Sequence, residues 1–163
     1  MHQKIRVATV TVSDTRTEAD DEGGAVLRER LEAAGFAVSF HAIVRDDPDA
    51  LRAVIARVCD DDLADAIVTT GGTGIAPTDR TYEAIEGLLE KRLDGFGEAF
   101  RHLSWEQIGP RAVLSRAVAG VHRARVVAAL PGSPKGVVLG VDRILGPILG
   151  HAVALARGDK HKH

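Results

Sequence analysis

Three times before Lys91 the chain passes from a short run rich in Val, Ile and Thr to a stretch whose apolar residues recur every three or four positions. The runs are Ile5–Ser13, Phe36–Val44 and Ala66–Thr70. The stripes are Val26, Leu27, Leu31 and Ala34, then Ala50, Leu51, Val54, Ile55 and Val58, then Ile85, Leu88 and Leu89 within Tyr82–Lys91. Runs with so few polar interruptions fit strands covered on both faces, the condition of parallel sheets. Their alternation with helices implies right-handed crossovers and helices on both sides of the sheet. The expected class is α/β: a three-layer α/β/α sandwich with a mostly parallel sheet.

The remaining segments complete that plan. Gly35 falls where a left-handed residue ends the first helix, and Pro48 is preset for the first turn of the second. Asp94–Ile108 reads as a helix interrupted at Gly95 and Gly97. Ser115–Val121 and Arg125–Leu130 read as a small edge hairpin around His122-Arg123, and Ser133-Pro134 opens a C-terminal helical region broken at Gly146-Pro147. The organisation expected is one domain over residues 1–157 and a polar tail over 158–163, ending in Lys160-His161-Lys162-His163.

Composition excludes several function classes. With 45% hydrophobic and 27% charged residues the chain can form a core without disulfides or a structural metal. Twenty-one Lys and Arg against 23 Asp and Glu leave a formal charge of −2, without the basic excess that a nucleic-acid partner demands. Apolar runs such as Val126–Leu130 fall far short of the roughly 20 residues that cross a bilayer, and Met1–Val10 has no signal-like core. A cytoplasmic location without a membrane partner is expected. The single Cys59 sits on a helical apolar stripe and reads as core. His41, His102 and His122 have no spacing suited to zinc, and Trp105 reads as filling for the core or a subunit interface.

Residues just past the strands of an open α/β sheet are the first candidates for a site. Gly71-Gly72-Thr73-Gly74 follows the third strand, where successive amides can turn around an anion while Thr73 adds a hydroxyl; the same tetrapeptide serves equally as a tight βα turn. Its glycines match neither the P-loop nor the dinucleotide fingerprint. Asp79 precedes a helix and Asp46 follows the second strand, so each is a candidate acid or an N-cap. Carboxylates facing phosphates need a cation between them, and Mg²⁺ takes one or two carboxylates plus phosphate oxygens. Asp14 belongs to the same edge. Pro131-Gly132-Ser133 offers a second anion-binding helix start, and Ser115-Arg116 a hydroxyl and a guanidinium.

These residues, in this order, resemble the small molybdenum cofactor biosynthesis proteins of the MoaB and MogA type. The resemblance rests on Thr11-Val12-Ser13-Asp14, Thr69-Thr70-Gly71-Gly72-Thr73-Gly74 with Asp79, Gly95-Phe96-Gly97-Glu98, Leu114-Ser115-Arg116-Ala117, and Leu130-Pro131-Gly132-Ser133-Pro134-Lys135. It implies Mg-ATP-dependent adenylylation of molybdopterin with release of pyrophosphate, Asp46 and Asp79 being the catalytic and Mg²⁺-binding positions. Ser13, Asp14, Gly71, Gly72, Thr73, Gly74, Ser115, Arg116, Pro131, Gly132 and Ser133 would then bind substrate. The family pattern has Pro-Asp where this chain has Arg45-Asp46-Asp47, so either aspartate could face the ion. The resemblance also admits a non-catalytic molybdopterin-binding or partner-binding protein. A homotrimer or homohexamer is expected, with other cofactor-biosynthesis proteins as further partners. Phe96, Phe100 and Trp105 on the interrupted helix are expected to be exposed for that assembly.

Overall fold

The structure, a computed structural model, describes residues 3–159. Its sheet has six strands: β1 (Arg6–Val12), β2 (Ala37–Val44), β3 (Ala66–Thr70), β4 (Lys91–Arg92), β5 (Val118–His122) and β6 (Arg125–Leu130). They lie in the order β2-β1-β3-β6-β5-β4. β2, β1, β3 and β6 run parallel, while β5 is antiparallel to both β6 and β4. The expected α/β class with a mostly parallel sheet is what forms.

Side-chain alternation along the strands builds a separate core on each face. On one face Val7, Val68, Val126 and Leu130 pack with Leu27 and Leu31 of α1 (Glu22–Ala33), Phe96 and Phe100 of α4 (Asp94–Ile108), and the C-terminal helix. On the other, Ala8, Val10, Ile67 and Val127 meet Leu51, Ile55 and Val58 of α2 (Pro48–Asp60) and Ile85 of α3 (Thr81–Glu86). Cys59 is buried in that second core, and burial pushes its thiol up, away from thiolate chemistry.

Four local expectations are corrected. The stripe over Tyr82–Lys91 yields only the short α3; its register is abandoned at Gly87, and Lys91–Arg92 pair with β5 as strand β4. The hairpin is therefore not at the edge, since β6 lies between β3 and β5 and β4 covers β5. α4 runs unbroken through Gly95 and Gly97, which stand in its first turns; a Cβ on Gly97 would come within 2.7 Å of Ala117 O, so glycine there permits close packing. Phe96 and Phe100 are consequently buried, and of the three expected aromatics only Trp105 is exposed.

The fourth correction concerns the C-terminal helix. It does not break at Gly146-Pro147: α5 (Pro134–Gly140) runs through a π-helical turn, Val141–Leu145, into α6 (Gly146–Ala156). The Gly146 amide bonds to Val141 O, five residues back, and this wider turn accommodates the carbonyls facing the proline ring. An 18-residue window within Pro134–Ala156 has a mean hydropathy of 1.5, so the helix is long and apolar enough to span a bilayer by length and composition alone. A search for unbroken apolar runs passes over it. Val137, Leu145, Leu149 and Val153 from this helix are buried in the first core. Lys160-His161-Lys162-His163 lies outside the described residues.

At the amino ends of the strands, buried Asp65 is held by Arg6, whose guanidinium lies 3.0 Å away and whose amide donates at 2.8 Å, and by Arg157 from the end of the C-terminal helix. Burial works to raise the Asp65 carboxyl, but the Arg6 hydrogen bonds with the Arg157 and Arg6 charges hold it below the usual carboxylate range. A depressed folded-state value stabilises the fold above the unfolded pKa, and that contribution is lost as the pH falls through the folded value. Asp65→Asn is expected to cost about 2 kcal/mol at neutral pH and to flatten the acid limb of stability below a pH of about 4. Urea unfolding at stepped pH measures both.

Candidate functional site

β1 is flanked by β2 and β3, and right-handed connections to those two neighbours leave in opposite directions, placing α1 and α2 on opposite faces. The crevice at the carboxyl ends of β1 and β3 is thus the switch point at which open α/β sheets bind ligands. Ser13-Asp14, Arg45-Asp46, Gly71–Gly74 and Pro131–Ser133 all follow parallel strands onto this rim. Ser115-Arg116 reaches it by leading into antiparallel β5.

A cleft of about 450 Å³ on the rim is lined by Gly71, Gly72, Thr73, Gly74, Asp79, Ser115, Pro131 and Gly132, together with Ile108, Arg111 and Leu114. A hollow of about 280 Å³ shares Gly71 and Gly132 and adds Thr11, Ser13, Arg16 and Asp21. A third space, about 550 Å³, shares Ser115 and contains Arg101 and Arg116. The Ser115 hydroxyl is shielded from solvent and meets no hydrogen-bond partner among the described residues.

Every carbonyl of Gly71–Gly74 accepts a hydrogen bond. Thr81 donates its hydroxyl to Gly71 O (2.9 Å) and its amide to Gly72 O (3.1 Å); Arg116 donates its amide to Thr73 O (2.9 Å) and Nε to Gly74 O (2.9 Å). A planar trans peptide aims the next N–H opposite to its carbonyl. The amides of Gly72, Thr73, Gly74 and Ile75 therefore point away from Thr81 and Arg116, and none of them donates to a backbone carbonyl among the described residues. Gly71 (φ +100°) and Gly72 (φ +73°) make the turn that permits this. A Cβ on Gly71 would lie 2.3 Å from Val12 O, and one on Gly72 2.2 Å from Thr81 Oγ1 and 2.9 Å from Asp46 Oδ2. Successive amides left without backbone acceptors beside the cleft are the donor set of an anion-binding nest.

The structure separates the aspartates from their capping alternatives. Asp47 caps α2 by accepting the Asp49 amide at 3.1 Å, and Asp46 turns inward with a residue exposure of 8%. Asp46 Oδ1 accepts the Arg80 amide at 3.1 Å, while the Asp46 amide donates to Asp14 Oδ1 at 2.9 Å. Asp79 does not cap α3; its Oδ2 accepts the Ala76 amide at 2.9 Å and closes the loop after Gly74. Guanidinium groups grip both residues by the main chain, Arg80 on Asp46 O at 2.5 Å and Arg116 on Asp79 O at 3.0 Å. Burial, then the charges of Asp79 and Asp14, push the Asp46 carboxyl above its ordinary range against the Arg80 hydrogen bond.

A divalent cation would favour the charged form that burial and the two neighbouring acids disfavour. Among the described residues no three His, Cys, Asp or Glu side chains form a closed metal cage. Hard carboxylate oxygens beside an amide nest fit Mg²⁺, which completes its shell with phosphate oxygens and water. The other candidates are placed as follows. Ser133 Oγ accepts the Gly136 amide at 3.1 Å and caps α5. Ser13 Oγ accepts the Thr15 and Arg16 amides at 3.3 and 3.0 Å, and Arg116 braces the loop. Arg80, Thr81 and Glu83 escape a reading of the sequence. The Arg80–Asp46 bond spans 34 residues and leaves no local mark, although a threonine opening the helix after a glycine loop is a usable signal.

Residues 8–151 match the family described as "Probable molybdopterin binding domain". The chain is 44% identical over 157 residues to molybdenum cofactor biosynthesis protein B of Bacillus subtilis, covering 96% of this chain and 92% of that one. It superposes on a crystal structure of a molybdenum cofactor biosynthesis protein B with a TM-score of 0.92 and 39% identity, covering 96% of this chain and 98% of that one. The tungsten cofactor synthesizing protein MoaB from Pyrococcus furiosus gives a TM-score of 0.86 at 35% identity, with 96% and 99% covered.

A carboxyl whose folded-state pKa is raised contributes stability below its unfolded value that is lost as the pH rises through the folded one. Asp46→Asn keeps an acceptor for the Arg80 amide and removes the repelled charge. Its melting temperature at neutral pH is expected to be equal to or above that of the parent. A fall of more than about 4 °C, roughly 1 kcal/mol, would show that the carboxylate is a bonding element rather than a strained one.

Proposed function

This chain belongs to the family of the probable molybdopterin binding domain and acts in molybdenum cofactor biosynthesis, and on that premise we propose that it transfers the adenylyl group of Mg-ATP to molybdopterin. The observation that carries this reading is the meeting, on one rim, of an amide nest and two aspartates, each anchored through its carbonyl and a single carboxylate oxygen. The phosphate of molybdopterin attacks the α-phosphorus of ATP. A new phosphoanhydride bond forms, the α–β bond breaks, and pyrophosphate leaves with its electron pair. No protein nucleophile takes part.

Both reactants are anions, so the work of the site is positioning and neutralisation. Gly72, Thr73 and Gly74 amides hold phosphate oxygens, with the Ser115 hydroxyl and the Pro131–Ser133 helix start bounding the guest. Asp46 and Asp79 hold Mg²⁺, which when bound withdraws charge from the phosphates. Ser13 and Asp14 lie where a second part of the guest would extend. The reaction is proposed to run in the cytoplasm.

Assembly is proposed as a homotrimer or homohexamer. Trp105 (51% exposed), Ile108 (50%), Val113 (62%) and Leu114 (48%) make an apolar surface at the end of α4 and the 3₁₀ turn Gly109–Leu114 that follows it. Sedimentation of a species three or six times 17.3 kDa is expected, and a monomer alone would overturn it.

Incubation with molybdopterin, ATP and Mg²⁺ is expected to yield adenylylated molybdopterin and pyrophosphate, with the rate lowered at least about a hundredfold by Asp79→Asn. If molybdopterin binds with no ATP consumed and neither Asp46→Asn nor Asp79→Asn alters binding, the protein is a carrier of the pterin and not a transferase.

A further inference from the structure

Arg116 is committed to the glycine loop through both its main chain and its side chain. Its amide holds Thr73 O, its Nε holds Gly74 O and its terminal nitrogen holds Asp79 O, so one residue spans the two ends of the loop that begins in the amide nest and finishes at the acid. The guanidinium is completed by an ion pair with Glu83 and lies over the Tyr82 ring, 5.2 Å from its centroid. The Arg116 hydrogen bond holds the Glu83 carboxyl below its ordinary range, so the pair stays charged. A fork of fixed geometry is needed to reach two carbonyls at once, which an ammonium group does not supply.

We propose that Arg116, locked by Glu83, is a positioning residue that sets the separation between the amide nest and Asp79, and does not itself touch substrate. The inference rests on the adenylyl-transfer reading for its kinetic consequence. Its structural consequence stands apart: the loop bonds Ala76 N–H to Asp79 Oδ2 and Asp79 N–H to Ala76 O depend on Arg116 holding Asp79 in place.

The test uses the full chain with Arg116→Lys, Arg116→Ala and Glu83→Gln, the last on a half-exposed helix residue that leaves the core untouched. Arg116→Lys is expected to lower kcat at least about tenfold while KM for molybdopterin stays within about twofold. Glu83→Gln is expected to give a smaller loss in the same direction. Hydrogen exchange at the Ala76 and Asp79 amides is expected to speed up in all three variants, with protection and part of kcat restored to Arg116→Ala by added guanidinium. A rise in KM with kcat unchanged would make Arg116 a ligand and overturn the proposal, as would parent-like exchange in the loop. If the parent forms no product, the transfer reading fails, and the exchange measurement still decides whether Arg116 sets the loop.

Discussion

The site depends on the direction in which four peptide planes are turned. Gly71, Gly72, Thr73 and Gly74 all present their carbonyls to Thr81 and Arg116, and the planarity of the amide leaves the N–H groups no direction but the opposite one. A loop free to rotate its peptides would offer an anion a mixture of donors and acceptors. Fixing the acceptors in bonds of their own removes the repulsive half of that mixture before any guest arrives, so the nest is organised in advance.

The same backing holds the acids. The cap and first turn of α3, Arg80-Thr81-Tyr82-Glu83, brace three parts of the arrangement: Arg80 on Asp46, Thr81 on the two left-handed glycines, and Tyr82 and Glu83 on Arg116. The arginines take main-chain carbonyls, so neither guanidinium forms an ion pair with the aspartate it positions. The raised carboxyl of Asp46 is the energetic trace of its burial beside Asp79 and Asp14.

Much of this was legible in the residues. The βα alternation led to the parallel sheet, and Ala66–Thr70 matched a strand to the residue because a short β-branched run between Asp65 and Gly71-Gly72 is too brief for a helix. The glycine tetrapeptide, Asp46 and Asp79 were visible as chemistry-bearing residues past strand ends, since a parallel sheet gathers such residues on one rim. What stayed hidden was set by long-range bonds. Leu88 and Leu89 kept helical spacing, yet the chain left the helix because Glu90 and Leu93 found partners on β5, with amide bonds of 2.8 Å to Val121 O and Ala119 O. The choice between Asp46 and Asp47 was decided by the Asp49 amide and Arg80, and the role of Arg116 by carbonyls 37 and 42 residues away in the chain.

Arg6 enters β1 and Arg157 leaves α6 at one shared anchor, Asp65, on the rim opposite the cleft. Among the described residues, the first strand thus starts and the last helix stops at the end of the sheet away from the cleft. Pinning both to one buried acid couples them: neither the first strand nor the last helix can peel away without stranding a charge in the interior.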